Sequence, residues 1–288
     1  MRDLTHKPKT GSPALLRRPT QRPDPEEAFT LLELLTVIFV MLCLLSLTLP
    51  AFHTIQAANQ FSANSTKIAD ILDQARAAAM ALNTFVYVGF LEIDQDPSPN
   101  VPQTANGTGK LKVIVAASVD GTRRYDVYHP ELSWNSIYTA NNGFHLRLLN
   151  QPQTIENIHM TATLGPMPEA GPMSKKAGRQ TVTHYYRLGS PTCKSVTPIS
   201  YPLGTPLDPV NCTCYFEKII QFDPNGVARI QYATNGDEIK QCIEIGLEPT
   251  HGNRVNSPVD AQDKQSKHGN YCAIQLDPIT GCIRIYKP

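Results

Sequence analysis

The chain predicts an α+β fold: a long N-terminal α-helix, membrane-spanning in its first half, packed on an antiparallel β-sheet globular domain. Three observations carry that expectation. From Phe29 to Phe52 there is one formal charge, Glu33, in an otherwise apolar run, long enough for the roughly 20 residues a bilayer requires. Ile68, Ile71, Leu72, Ala75, Ala79 and Leu82 then recur at helical period, the mark of a helix with one buried face. After Asn83 the chain turns to short runs rich in β-branched and aromatic residues separated by Gly and Pro, the pattern of strands and turns.

Residues 1–28 read as a hydrophilic leader. They hold six of the 26 Lys and Arg and four of the 25 Asp and Glu, so the remainder is close to neutral. Near-neutrality argues against a strongly basic nucleic-acid binder. The apolar run, 29–52, is too long for a signal-peptide core of about 7–15 residues, and it follows a long hydrophilic segment. Basic residues crowd the leader, and the next one after the run is Lys67. By the positive-inside tendency the N-terminus is expected to stay cytoplasmic and the rest to be exported. A carboxylate in such a run costs about 2.5–3.5 kcal/mol on insertion scales, which calls for a partner at Glu33.

Residues 53–82 are expected to continue the helix in amphipathic form, with Lys67, Asp70, Asp73 and Arg76 mainly off the apolar stripe. Residues 83–288 form the β-rich domain. Strands are predicted at 84–93, 111–119, 143–149, 181–188, 214–222, 226–232, 241–247, 271–276 and 281–286, with Asp223-Pro224-Asn225-Gly226 as a turn. The stretch 165–210, with eight prolines, reads as an irregular excursion.

Cys43 lies in the apolar run; Cys193, Cys212, Cys214, Cys242, Cys272 and Cys282 all lie in the C-terminal third. An even number in an exported domain favours disulfides, with 15 connectivities open. Zinc at Cys212-Thr213-Cys214 is the lesser alternative, because the spacing is CxC and no His lies close by. No HExxH, GxSxG or GxGxxG occurs, and Gly107-Thr108-Gly109-Lys110 lacks the rest of a phosphate loop. Asp223, Asn225 and Asp277 read as turn residues rather than calcium ligands. Asn64, Asn106 and Asn211 each open a glycosylation triplet, a pattern short enough to arise by chance. No catalytic residue, cofactor or metal is expected.

Ala28-Phe29-Thr30-Leu31-Leu32-Glu33, with Pro50 at the 22nd position from Phe29, resembles the processing site of type IV prepilins and type II secretion pseudopilins. Ala28 stands where that family usually has Gly. The resemblance implies cleavage between Ala28 and Phe29 by a prepilin peptidase, N-methylation of Phe29, and assembly through a helix carrying Glu33 and Pro50. In the assembled filament Glu33 would pair with the Phe29 amine of a neighbouring subunit. It implies as partners the peptidase, other pilin or pseudopilin subunits, an inner-membrane assembly platform and the membrane itself. The implied localisation is a single-pass inner-membrane protein with a periplasmic domain, later a filament.

The segment from Asp73 to Val86, Phe222-Asp223-Pro224-Asn225-Gly226, and the ending Ile279 to Ile285 are similar to GspH/FimT-like minor pseudopilins. Two other classes remain open. One is a signal-anchored periplasmic binding protein or enzyme. The other is a DNA- or surface-binding pilin, for which Lys175, Lys176 and Arg179 would be the basic cluster.

Overall fold

The computed structural model describes residues 30–96, 107–119, 121, 123, 146–162, 187–195, 198–203, 214–230, 239, 242–255 and 271–287, with the side chains of 47–54 and 254–255 excepted. Ala28, Phe29, the leader, the predicted strand at 181–186, Asn106, the 175–179 basic cluster, Asn211 and Cys212 lie outside these residues. The chain divides into two units, Met1–His53 and Thr54–Pro288.

The helix α1 covers Leu31–Leu82. Thr30 caps its start: the Glu33 N–H donates to Thr30 Oγ1 at 3.2 Å, and the Leu34 N–H donates to the Thr30 carbonyl at 3.1 Å. This is one half of a capping box, with Glu33 three residues after the cap. At the other end Asn83 adopts φ 49°. The Thr84 and Asn83 N–H groups reach back to the carbonyls of Ala79 (3.1 Å) and Met80 (3.4 Å), which is the double bond of a Schellman stop.

Two expectations need correction here. A helix with a membrane-spanning first half does not describe the fold: among the described residues no helix is long and apolar enough to cross a membrane. The physical reason lies in the side chains. From 55 onward the helix is amphipathic, with Lys67, Asp70, Asp73 and Arg76 on it. Among the described residues, more lie in antiparallel strands than in the helix. The inner-membrane, single-pass placement falls on the same ground.

The strands are β1 (Val86–Asp94), β2 (Gly109–Ser118), β3 (Leu146–Thr161), β4 (Ile199–Tyr201), β5 (Cys214–Phe216), β6 (Lys218–Phe222), β7 (Ala228–Ile230), β8 (Ile243–His251), β9 (Arg254–Val255), β10 (Cys272–Leu276) and β11 (Ile283–Tyr286). They pair in the order β11-β10-β8-β3-β2-β1-β6-β7, with β9 added to β8 and β4-β5 forming a separate ribbon. The ribbon strand β4 falls inside the predicted Pro-rich excursion, and the predicted strand 214–222 is broken at Glu217 into β5 and β6. β3 is longer than predicted; three register shifts against β2 bend it, as bulges do.

Alternation along the strands gives the sheet two apolar faces. Val86, Val88 and Phe90 of β1, with Val113, Val115, Ile220 and Phe222, pack in one cluster with Phe61, Ile68, Leu72, Ala75 and Ala79 of α1. Tyr87, Leu91 and Ile93 point the other way, where Ile199, Cys214 and Phe216 of the ribbon cover them together with Ile114 and Ala116. Gly89 is what lets the ribbon sit this close. A Cβ there would lie 2.8 Å from Phe216 Cβ and 2.9 Å from Ile114 Cγ2. Leu82, predicted on the buried stripe, is 43% exposed because the helix stops beside it.

Candidate functional site

Within the first unit the helix presents an apolar surface on all sides. Every described residue from Leu31 to Ser46 is exposed, from Leu31 at 82% through Phe39 at 65% to Val37 at 45%. Its hydroxyls are turned back onto the helix: Thr36 Oγ1 donates to the Glu33 carbonyl and Ser46 Oγ to the Cys43 carbonyl, each at 2.8 Å. That back-bonding satisfies the hydroxyls locally and leaves methyl and methylene groups as the outer surface. Glu33 is the only charged group on this stretch. A helix that is hydrophobic all round belongs in an apolar interior, and an exposed patch of this extent marks an interaction surface. The backbone of α1 includes Pro50, whose side chain is outside the described residues.

The second unit holds two buried polar clusters that the sequence did not announce. In the first, Glu92 Oε1 accepts the Met160 N–H at 2.6 Å and lies 2.8 Å from His159 Nδ1. Lys218 Nζ sits 3.7 Å from Glu92 Oε2 and donates to the Gly189 carbonyl at 3.2 Å. Burial lowers the Lys218 pKa, and the Glu92 carboxylate opposes that shift. Burial likewise pushes the nearby Cys193 thiol up to about 12, with Lys218 pulling against it.

In the second cluster, Arg187 Nε donates to Glu244 Oε1 and Gln275 Nε2 to Glu244 Oε2, both at 2.7 Å. Arg187 also reaches the Ala162 carbonyl at 3.3 Å. Both clusters tie the 187–195 loop to the sheet, and Gly189 allows the approach: a Cβ there would stand 2.2 Å from the Thr161 carbonyl oxygen. Each charge is met by a partner, so the arrangement holds a loop in place rather than leaving a group poised for proton transfer.

The predicted site residues fall in different places. Cys193 lies in the 187–195 loop, Cys214 opens β5, Cys242 precedes β8, Cys272 opens β10 and Cys282 precedes β11. No disulfide joins them; each is a thiol, as is Cys43. Cys242 and Cys282 line one pocket of about 190 Å³ with Asp277. Strand β10 runs between β8 and β11, however, so two strand spacings of roughly 4.8 Å separate them. That exceeds the Cα separation of about 7 Å that a bridge tolerates. Burial pushes the Cys272 thiol up to about 11, against a hydrogen bond with Ser65 and the charge of Lys287.

Asp223 and Asp277 act as turn caps. Asp223 Oδ1 accepts the N–H groups of Asn225 (2.8 Å) and Val227 (2.9 Å), and Asp277 Oδ1 those of Ile279 (2.9 Å) and Thr280 (3.2 Å). Arg76 lies beside these turns, its Nε donating to the Gly226 carbonyl at 3.3 Å, and Arg284 is a second cation close to Asp277. A Cβ on Gly281, at φ +66°, would collide with the Arg76 guanidinium. Among the described residues no group of His, Cys, Asp and Glu is arranged to hold a metal. Asn64, of the first glycosylation triplet, donates its Nδ2 to the Glu156 carbonyl at 2.8 Å.

The signal for Thr30 was present in the spacing Thr30-x-x-Glu33. The two polar clusters had no local signal, because their members come from strands far apart in the chain. Compared with protein-family models, with curated proteins and with solved structures, the chain finds no match in any of the three.

Proposed function

We propose that this protein is a structural subunit of a helical filament of the type IV pilus or type II secretion pseudopilus kind, a minor pseudopilin. It assembles through the N-terminal part of α1. The observation that carries the reading is the stretch 31–46: helical, exposed on every side, apolar, and bearing one carboxylate. Sister helices packed side by side would cover that surface. Uniform apolar surface gives cohesion without orientation, whereas a single acid that needs a cationic partner fixes register. A prepilin peptidase would cut between Ala28 and Phe29, and the new Phe29 amine of a neighbour would meet Glu33. Other pilin-type subunits and an assembly platform are the further partners.

The test is incorporation. In the host, Glu33→Ala is expected to leave cleavage intact and to deplete the protein from sheared filaments by tenfold or more, about 1.4 kcal/mol of lost assembly energy. Normal incorporation of the variant removes the role given to Glu33. Native protein that still begins at Met1 removes the processing step.

A further inference from the structure

We propose that Lys112 and Cys214 form an oxidation-driven covalent cross-link, a nitrogen–oxygen–sulfur bridge that pins the β4-β5 ribbon to the main sheet. This does not depend on the filament reading. Lys112 Nζ lies 3.2 Å from Cys214 Sγ, with the amine donating to the sulfur. The two residues come from separate layers. Lys112 alternates with Ile114 and Ala116 on the ribbon-covered face of β2, and Cys214 opens β5 in the same apolar cluster. Cys214 is 4% exposed, whereas Lys112 is half-buried, so small oxidants reach the pair along the lysine.

Proximity of this kind turns a bimolecular condensation into an intramolecular one, which raises the local concentration of amine at sulfur by orders of magnitude. The competing fates of an oxidised thiol are a disulfide with a second thiol, further oxygenation, or a sulfenamide with a nitrogen, and the product's mass separates each from the bridge. The oxidant is a peroxide. One thiol, one neutral amine and two molecules of hydrogen peroxide give the bridge and three of water. The S–H bond and one N–H bond break, the S–O and O–N bonds form, and the four electrons lost by sulfur and nitrogen reduce both peroxides. Two equivalents of a dithiol reverse the change and regenerate thiol and amine.

The neighbouring amine–thiol encounter supplies an internal comparison. Cys193 faces Lys218, but that amine is held by the Gly189 carbonyl and Glu92, away from free attack.

The experiment is intact-mass and peptide analysis of the full chain after hydrogen peroxide treatment. The expected product is heavier by about 14 Da, one oxygen gained and two hydrogens lost, and it returns to the starting mass with dithiothreitol. Trypsin should no longer cut after Lys112, and the peptides holding Lys112 and Cys214 should travel together. Lys112→Arg and Cys214→Ser should each abolish the product. Lys112→Arg keeps the positive charge on β2, so its loss of product reports the amine and not a misfolded ribbon. The proposal is overturned if the 14 Da species persists in either variant. It is equally overturned if wild-type Cys214 gains only successive oxygens, or pairs with another cysteine, with Lys112 unmodified.

Discussion

Residues 31–46 and 61–79 lie on one helix, yet their surroundings are opposite. The first stretch is more hydrophobic, and all of it is exposed. The second is less hydrophobic, and Phe61, Ile68, Ile71, Leu72, Ala75 and Ala79 are nearly sealed from solvent. The difference shows that pattern, not total hydrophobicity, decides whether a helix is covered by its own chain. A stripe at helical period has one side to offer a sheet, and the sheet of this chain offers one face in return. A rod apolar on every side cannot be satisfied by one sheet face.

The sharpest way to break that comparison is through the charges. Glu244 is fully buried and held by Arg187 and Gln275, whereas Glu33 stands on the exposed rod. Glu244→Ala leaves the Arg187 cation buried and uncompensated, so about 3–5 kcal/mol of domain stability should be lost in a urea titration. Glu33→Ala should leave the same titration unchanged while altering assembly. A loss below about 1 kcal/mol for Glu244→Ala would mean that the cluster does not hold the 187–195 loop.

Leucines at two positions make the same contrast in apolar terms. Leu72 is 0% exposed and Leu42 is 62% exposed. Leu72→Ala opens a cavity between helix and sheet and should cost about 2–5 kcal/mol of unfolding free energy. Leu42→Ala should stay within about 0.5 kcal/mol by the same measurement. Equal effects would show that exposure does not separate the two leucines.

What the sequence made legible follows the same division. The helical stripe could be read because its period is local: Ile68, Ile71, Leu72, Ala75 and Ala79 report their common face within a dozen residues. The turns at Asp223 and Asp277 could be read for the same reason. The membrane span could not be read safely from hydropathy, since the same apolar run serves any apolar environment that encloses a helix. The polar clusters were invisible because Glu92, His159 and Lys218 converge from β1, β3 and β6, and Arg187, Glu244 and Gln275 from a loop, β8 and β10. Cysteine pairing has no local signal: an even count leaves 15 connectivities open, Cys212 lies outside the described residues, and β10 stands between Cys242 and Cys282.

A smaller effect is expected at the start of the rod. Thr30 Oγ1 satisfies one of the first N–H groups of α1, and Thr30→Ala should weaken the first turn by about 1 kcal/mol. Amide exchange at Glu33 and Leu34 would speed up by roughly fivefold for that loss, with the exchange of β1 and β2 unaltered. Faster exchange in the strands as well would show that the loss is not confined to the first turn.

The smallest effect is a matter of pH, and it tests whether the domain carries a charge it would be better without. Burial raises the Glu248 pKa above its ordinary 4.5, while a hydrogen bond from Thr161 and the nearby His159 pull it back. Burial, and then the Glu248 charge, raise the pKa of Tyr271 as well. With the folded pKa above the unfolded one, the native state binds the proton more tightly. The contribution of Glu248 is therefore most favourable below the unfolded pKa and declines as pH rises through the folded value. Glu248→Gln keeps an acceptor for Thr161 and removes the titration. The variant should match the wild type near pH 4 and exceed it in unfolding free energy near pH 7, with the gap opening between the two pKa values. A gap that does not change with pH would show that Glu248 titrates alike in the folded and unfolded chain. The sheet would then hold this carboxylate at no cost.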